Sequence, residues 1–114
     1  MSQKTKFAIP TVNNVLTTHF GHCEKFAIVE TENGDIVSTG FVEPPFHQPG
    51  AYPRFLASQG VNVIISGGMG RRARDLFAQN QIEVCIGVPS GSPQSLVEQY
   101  LNNQLQTGQN PCDH

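Results

Sequence analysis

Short apolar runs alternate along this chain with polar stretches punctuated by glycine, proline and asparagine. Lys6 to Val12 (KFAIPTV) reads as a first strand, and Pro10, which lacks a backbone donor, should stop ladder pairing on one side near its end. Asn13 to Glu24 has no clean period and reads as a loop. Lys25 to Thr31 is a second strand, followed by the turn Glu32-Asn33-Gly34-Asp35 and a third strand over Ile36 to Glu43. Asn-Gly tolerates the positive φ values of a tight hairpin turn, so these two strands should pair with each other.

The prolines at 44, 45 and 49 exclude helix interior and central strand, leaving a loop up to Gly50. Ala51 to Gln59 fits a short helix with Pro53 near its first turn and Gly60 as its stop. Val61 to Ile65 is nearly all β-branched, the pattern of a fourth strand covered on both faces. The glycine turn Ser66-Gly67-Gly68-Met69-Gly70 then opens a helix to Gln79, in which Ala73, Leu76 and Phe77 fall at helical spacing. Ile82 to Val88 is a fifth strand with Cys85 in its core-facing middle. Ser90 or Ser92 caps a last helix with Pro93 at N1 and Leu96, Val97, Tyr100 and Leu101 as its buried stripe. Residues 1–105 are therefore expected to form one domain, and the polar, Gly/Pro-broken stretch 106–114 a flexible tail.

The order βββαβαβα predicts an α/β domain: one mixed sheet in which only strand two runs against the rest, with helices on both faces. In that arrangement the loops 13–24, 43–50, 66–71 and 89–92 emerge at one edge, the carboxyl edge where open α/β sheets take ligands. That edge collects His19, His22 and Cys23 from the first loop, His47 from the second, and Gly67, Gly68, Met69, Gly70, Arg71 and Arg72 from the third. Imidazole and thiolate suit iron, copper, zinc or iron–sulfur species, whereas backbone N–H groups at a helix start and arginines suit an anion. Each feature also has a plainer reading: a tight turn with solvated arginines, or a Cys23 that packs as a small apolar group.

Composition narrows this further. At 114 residues the chain is one domain, and its net charge of -2 gives no general attraction to nucleic acid or an anionic membrane, so any anion site must be local. No apolar stretch is long enough to span a membrane and Met1 to Lys6 is polar, so a cytoplasmic protein is expected. Three cysteines, an odd number, argue against a disulfide framework and leave thiols free for metal. Cys112-Asp113-His114 is a candidate chelate of its own, in which Cys112 and His114 could hold one metal. A nuclease of similar topology would need carboxylates on its central strands, and neither Lys6 to Val12 nor Val61 to Ile65 contains one. A regulatory or interaction module with a metal-sensing tail is the other alternative.

His19-Phe20-Gly21-His22-Cys23, Pro44-Pro45-Phe46-His47-Gln48-Pro49-Gly50, Ile64-Ile65-Ser66-Gly67-Gly68-Met69-Gly70-Arg71-Arg72-Ala73 and the closing Cys112-Asp113-His114 together resemble the dinitrogenase iron–molybdenum cofactor biosynthesis family. That family includes NifX, NafY, the C-terminal part of NifB and small stand-alone members such as the orange protein of sulfate-reducing bacteria. The resemblance covers essentially the whole chain. It implies a ribonuclease H-like motif, a five-stranded mixed sheet in the order 3-2-1-4-5, and a non-enzymatic role. That role is to bind and carry a metal–sulfur cluster of molybdenum–copper sulfide, iron–molybdenum or iron–sulfur type, with protein partners in cluster assembly or delivery. It gives weight to cofactor contacts from His47 and Gly67 to Arg72 over ligation by Cys23; His19, Cys23, Cys112 and His114 are the candidate metal ligands by their own chemistry.

Overall fold

The computed structural model describes residues 4–17, 23–44, 51–105 and 107. Its strands are β1 (Lys4–Val12), β2 (Val15–Leu16), β3 (Lys25–Glu32), β4 (Asp35–Val42), β5 (Val63–Ile65) and β6 (Glu83–Cys85), and its helices are α1 (Ala51–Ser58), α2 (Arg71–Gln79) and α3 (Pro93–Leu101). The sheet order is β4-β3-β1-β5-β6, with β2 paired only to β1. Apart from β2 this is the order that the resemblance implies. β3 runs opposite to the other four main strands, and β1, β5 and β6 are mutually parallel.

Six strands replace the expected five, because the stretch read as a featureless loop begins with a miniature hairpin. Asn13 and Asn14 both adopt positive φ (54° and 66°), a conformation that asparagine tolerates, and they return Val15 and Leu16 antiparallel onto Val12 and Thr11. The flank of β1 that faces this hairpin is also where β5 has ended: β5 pairs only with Phe7 and Ala8. Pro10 sits just beyond, its carbonyl accepting the Thr17 N–H at 3.0 Å, so its missing donor falls where no parallel ladder asks for one. The β3–β4 hairpin forms as expected on Asn33 (φ 54°) and Gly34 (φ 87°). A bulge shifts its register between Glu30 and Thr31.

Helices cover both faces. Ala8, Phe26 and Ile64 share one apolar cluster with Tyr52 and Leu56 of α1 and Phe77 of α2. Phe7, Ile9, Val29 and Ile65 share the other with Leu96 and Val97 of α3. Edge-on aromatic pairs join the layers, Phe26 with Tyr52 at 5.3 Å on one side and Phe7 with Tyr100 at 5.1 Å on the other. Gly60 (φ 80°) ends α1 as expected: its N–H donates to Ala57 and that of Val61 to Leu56, and Leu56 and Val61 then share a core cluster. Between α2 and α3 the expected strand Ile82 to Val88 pairs with β5 only over Glu83–Cys85, because Gly87 at φ 70° turns the chain. Val88 is carried inward and buried in the α3-side cluster.

Candidate functional site

Since β1, β4, β5 and β6 point the same way, the segments that follow them emerge at one edge of the sheet, as the sequence predicts. These segments brace one another. Leu16 on β2 donates its N–H to Gly91, while its own carbonyl accepts the Ser90 hydroxyl, both at 3.0 Å. The glycine turn after β5 is fastened to the segment after β6: the Ser66 N–H donates to Cys85 at 2.8 Å, and the Gly67 carbonyl accepts from Gly87 at 2.9 Å. A third bond, from the Val88 N–H to the Ser66 carbonyl at 3.4 Å, completes the fastening.

Within the turn, Ser66, Gly67, Gly68 and Met69 are buried and Gly70 is exposed. The Met69 side chain belongs to the α1/α2-side core, so only its backbone is placed to meet a ligand. Gly70 is the N-cap of α2, with φ -65° and ψ 155°, and no side chain caps the helix. Any L-residue can adopt that backbone, and a Cβ added at Gly70 would meet nothing within 4 Å. Neither sterics nor strain therefore demands glycine there. Arg71 and Arg72 follow, both exposed, and the first turn contains no acid. The positive dipole end of α2 thus coincides with two guanidinium groups, an arrangement that opposes cations and favours an anion.

Cys23 reaches the same edge but is buried in the α1/α2-side core together with Phe26, Tyr52 and Met69. Burial pushes its thiol up to about 11. The environment therefore suits the protonated, apolar form, and coordination would have to displace a proton. His19, His22, His47, Cys112 and His114 lie outside the described residues. Among the described residues no group of three or more His, Cys, Asp or Glu side chains is arranged to hold a metal ion. Cys85 packs against the α3-side core as the sequence predicts, and its thiol donates to Glu83 Oε2 at 3.7 Å, an oxygen that also accepts the Tyr100 hydroxyl at 2.8 Å.

Two residues that matter at this edge carry no recognisable signal in the sequence. Ser66 reads only as the first residue of the glycine turn, yet it is fully buried and its hydroxyl donates to the Gly68 carbonyl at 3.0 Å. Gly87 reads as strand interior, yet it makes the bend that brings its N–H onto the turn.

Fold and edge together define a small three-layer α/β domain whose carboxyl edge presents a helix start that has no side-chain cap and is flanked by arginines. The sequence pattern described as dinitrogenase iron-molybdenum cofactor matches residues 3–103, and the chain belongs to that family. It is 43% identical over 84 residues to the uncharacterized protein MJ0580 of Methanocaldococcus jannaschii, spanning 69% of this chain and 71% of that one. Among solved structures it superposes on PH0822 with a TM-score of 0.83 at 28% identity, over 90% of this chain and 94% of that one. It shares its fold with the apo form of the orange protein from Desulfovibrio gigas, with a TM-score of 0.74 at 20% identity over 97% and 98% of the two chains. No helix among the described residues is long and apolar enough to cross a membrane.

Proposed function

We propose that this protein binds an anionic metal–sulfur cluster as cargo at the carboxyl edge of its sheet and serves as a scaffold, carrier or storage protein, without turning over a substrate. The observation that carries this reading is the start of α2: an exposed Gly70 without a cap, followed by Arg71 and Arg72 with no acid in the first turn. A cation at a helix N-terminus works against the helix dipole by about 0.3–1 kcal/mol, a cost that an anion seated there would offset. Membership in a cofactor family and the shared fold with the orange protein support the same reading.

The terminal sulfur or oxygen atoms of a molybdenum–copper sulfide, iron–molybdenum or iron–sulfur cluster would accept hydrogen bonds from the backbone of Gly68 to Arg72, with the guanidinium groups balancing charge. Cys23 and the histidines at 19 and 47 are the proposed metal ligands from the neighbouring loops. Cys112 and His114 form a separate proposed chelate. Proteins that assemble or receive the cluster are the proposed partners. Under anaerobic conditions, apo-protein mixed with tetrathiomolybdate and copper, or separately with iron and sulfide, should retain a stoichiometric coloured complex through desalting in at least one case. Loss of all metal in both cases overturns the proposal. Removing residues 111–114 should leave retention intact; its disappearance would move the cargo site to the tail.

A further inference from the structure

We infer that the outer edge of β4 is a docking surface for an extended segment of a partner protein, one that carries apolar side chains along its middle and a lysine or arginine at each end. This docking does not depend on the cargo reading. Among the described residues β4 closes one end of the sheet and β6 the other. The two ends are unlike. β6 is three residues long, and a very short edge strand offers little for another chain to pair with. β4 runs for eight residues, Asp35–Val42, none of them buried, and its side chains include Val37 at 59% and Phe41 at 44% exposure. From Ile36 to Val42 it holds no charged residue and no proline, two of the features that keep an edge from pairing. Its bulge, opposite Glu30 and Thr31, leaves Ser38 to Val42 in unbroken register with β3, and that stretch keeps the regular geometry an added strand needs.

The charges around this edge say what fits it. Residues 26–53 contain Glu30, Glu32, Asp35 and Glu43 and no lysine or arginine. Lys6 pairs with Glu30 at 3.3 Å, whereas Glu32 lies opposite Asp35 at the start of β4 and the exposed Glu43 follows its end. The strand is thus uncharged in its middle and acidic at both ends. A second copy is a poor occupant: antiparallel self-pairing along the whole strand sets Asp35 of each copy beside Glu43 of the other, and like charges opposed across strands are destabilising. A segment with basic ends makes both contacts favourable, while its backbone supplies the ladder and its apolar side chains meet Phe41. Because β4 ends at the carboxyl edge, a partner paired along it is also brought to that edge.

The probes are two synthetic peptides with blocked termini and alternating valine and threonine in the middle, one with lysine at both ends and its twin with glutamate. Added to the wild-type protein and followed by amide NMR, the lysine peptide should give saturable shifts concentrated in residues 35–43 and slow their hydrogen exchange. It should bind about tenfold tighter than the glutamate twin at low salt, and the gap should narrow as salt is raised. Asp35→Lys combined with Glu43→Lys should reverse the preference, and Phe41→Lys should weaken the lysine peptide several-fold. Equal affinity for the two peptides, shifts centred on β6 or α2 instead, or no saturable shift at all would each overturn the inference. So would a dimer of the protein alone in sedimentation with the β4 amides already protected, which would give the edge to a second copy.

Discussion

Helices α2 and α3 are each nine residues long, begin at the same edge of the sheet, and have almost the same backbone at their N-caps: φ -65°, ψ 155° at Gly70 and φ -72°, ψ 146° at Ser92. Their chemistry differs. Ser92 Oγ accepts the Ser95 N–H at 3.3 Å, and Pro93 at N1 has no donor to satisfy, so α3 completes itself. At α2 the cap is a glycine with open space around it, and two exposed arginines occupy the first turn. A backbone that could carry the same solution as α3 does not carry it. The difference is that α3 carries a side-chain cap and α2 does not; on the proposed reading, an anionic ligand takes that place at α2.

Making α2 resemble α3 should have the largest effect. Gly70→Asp supplies a cap, a favourable charge at the dipole and a less flexible unfolded chain, so stability in urea should rise by about 1 kcal/mol. Cluster retention should be abolished, because a carboxylate then occupies the anion's place; a variant both more stable and fully competent would contradict the comparison. Next in size, Arg71→Ala combined with Arg72→Ala should weaken cluster binding by about tenfold or more, most visibly at low ionic strength, with unfolding unchanged or slightly improved. Binding titrations at two salt concentrations check this. In the opposite sense, Ser92→Ala should cost about 1 kcal/mol in urea unfolding and leave cluster retention untouched.

The smallest effect concerns how α3 is held at its far end. Burial first, then the hydrogen bond to Glu83 and the charges of Glu83 and Cys85, push the Tyr100 hydroxyl from 10.0 up to about 12. Burial, then Glu83, push the Cys85 thiol from 9.0 up to about 11. Raised values mean that the folded chain keeps protons the unfolded chain releases. Their contribution is complete below about pH 9 and declines as pH rises toward 12. Unfolding followed from about pH 8 to about pH 10.5 should show this decline, and Tyr100→Phe should make it shallower while costing about 1 kcal/mol through loss of the bond to Glu83.

Much of this was legible in the residues. Asn33-Gly34, Gly60 and Ser92-Pro93 act through local backbone chemistry, and each does in the structure what its residue type predicts. The β2 hairpin was not: two residues are too few to show an alternating pattern, and Asn-Asn is a weaker turn signal than Asn-Gly. The shortening of the last strand depends on Gly87 adopting positive φ, which a glycine permits without announcing. Cys23 had two readings, a loop thiol beside two histidines or a small apolar group, and its burial among Phe26, Tyr52 and Met69, where helix α1 folds over that end of the sheet, agrees with the second. Ser66 escaped, since its hydroxyl acquires meaning only when β6 fixes its backbone.

The turn between β5 and α2 has an anchor in each core: Met69 in the α1/α2-side cluster, and, through its bonds to the segment after β6, Val88 in the α3-side cluster. A wall secured in two opposite layers cannot swing toward or away from its load without loosening both. On the proposed reading, the cluster is therefore loaded onto and lifted off a surface that itself stays still.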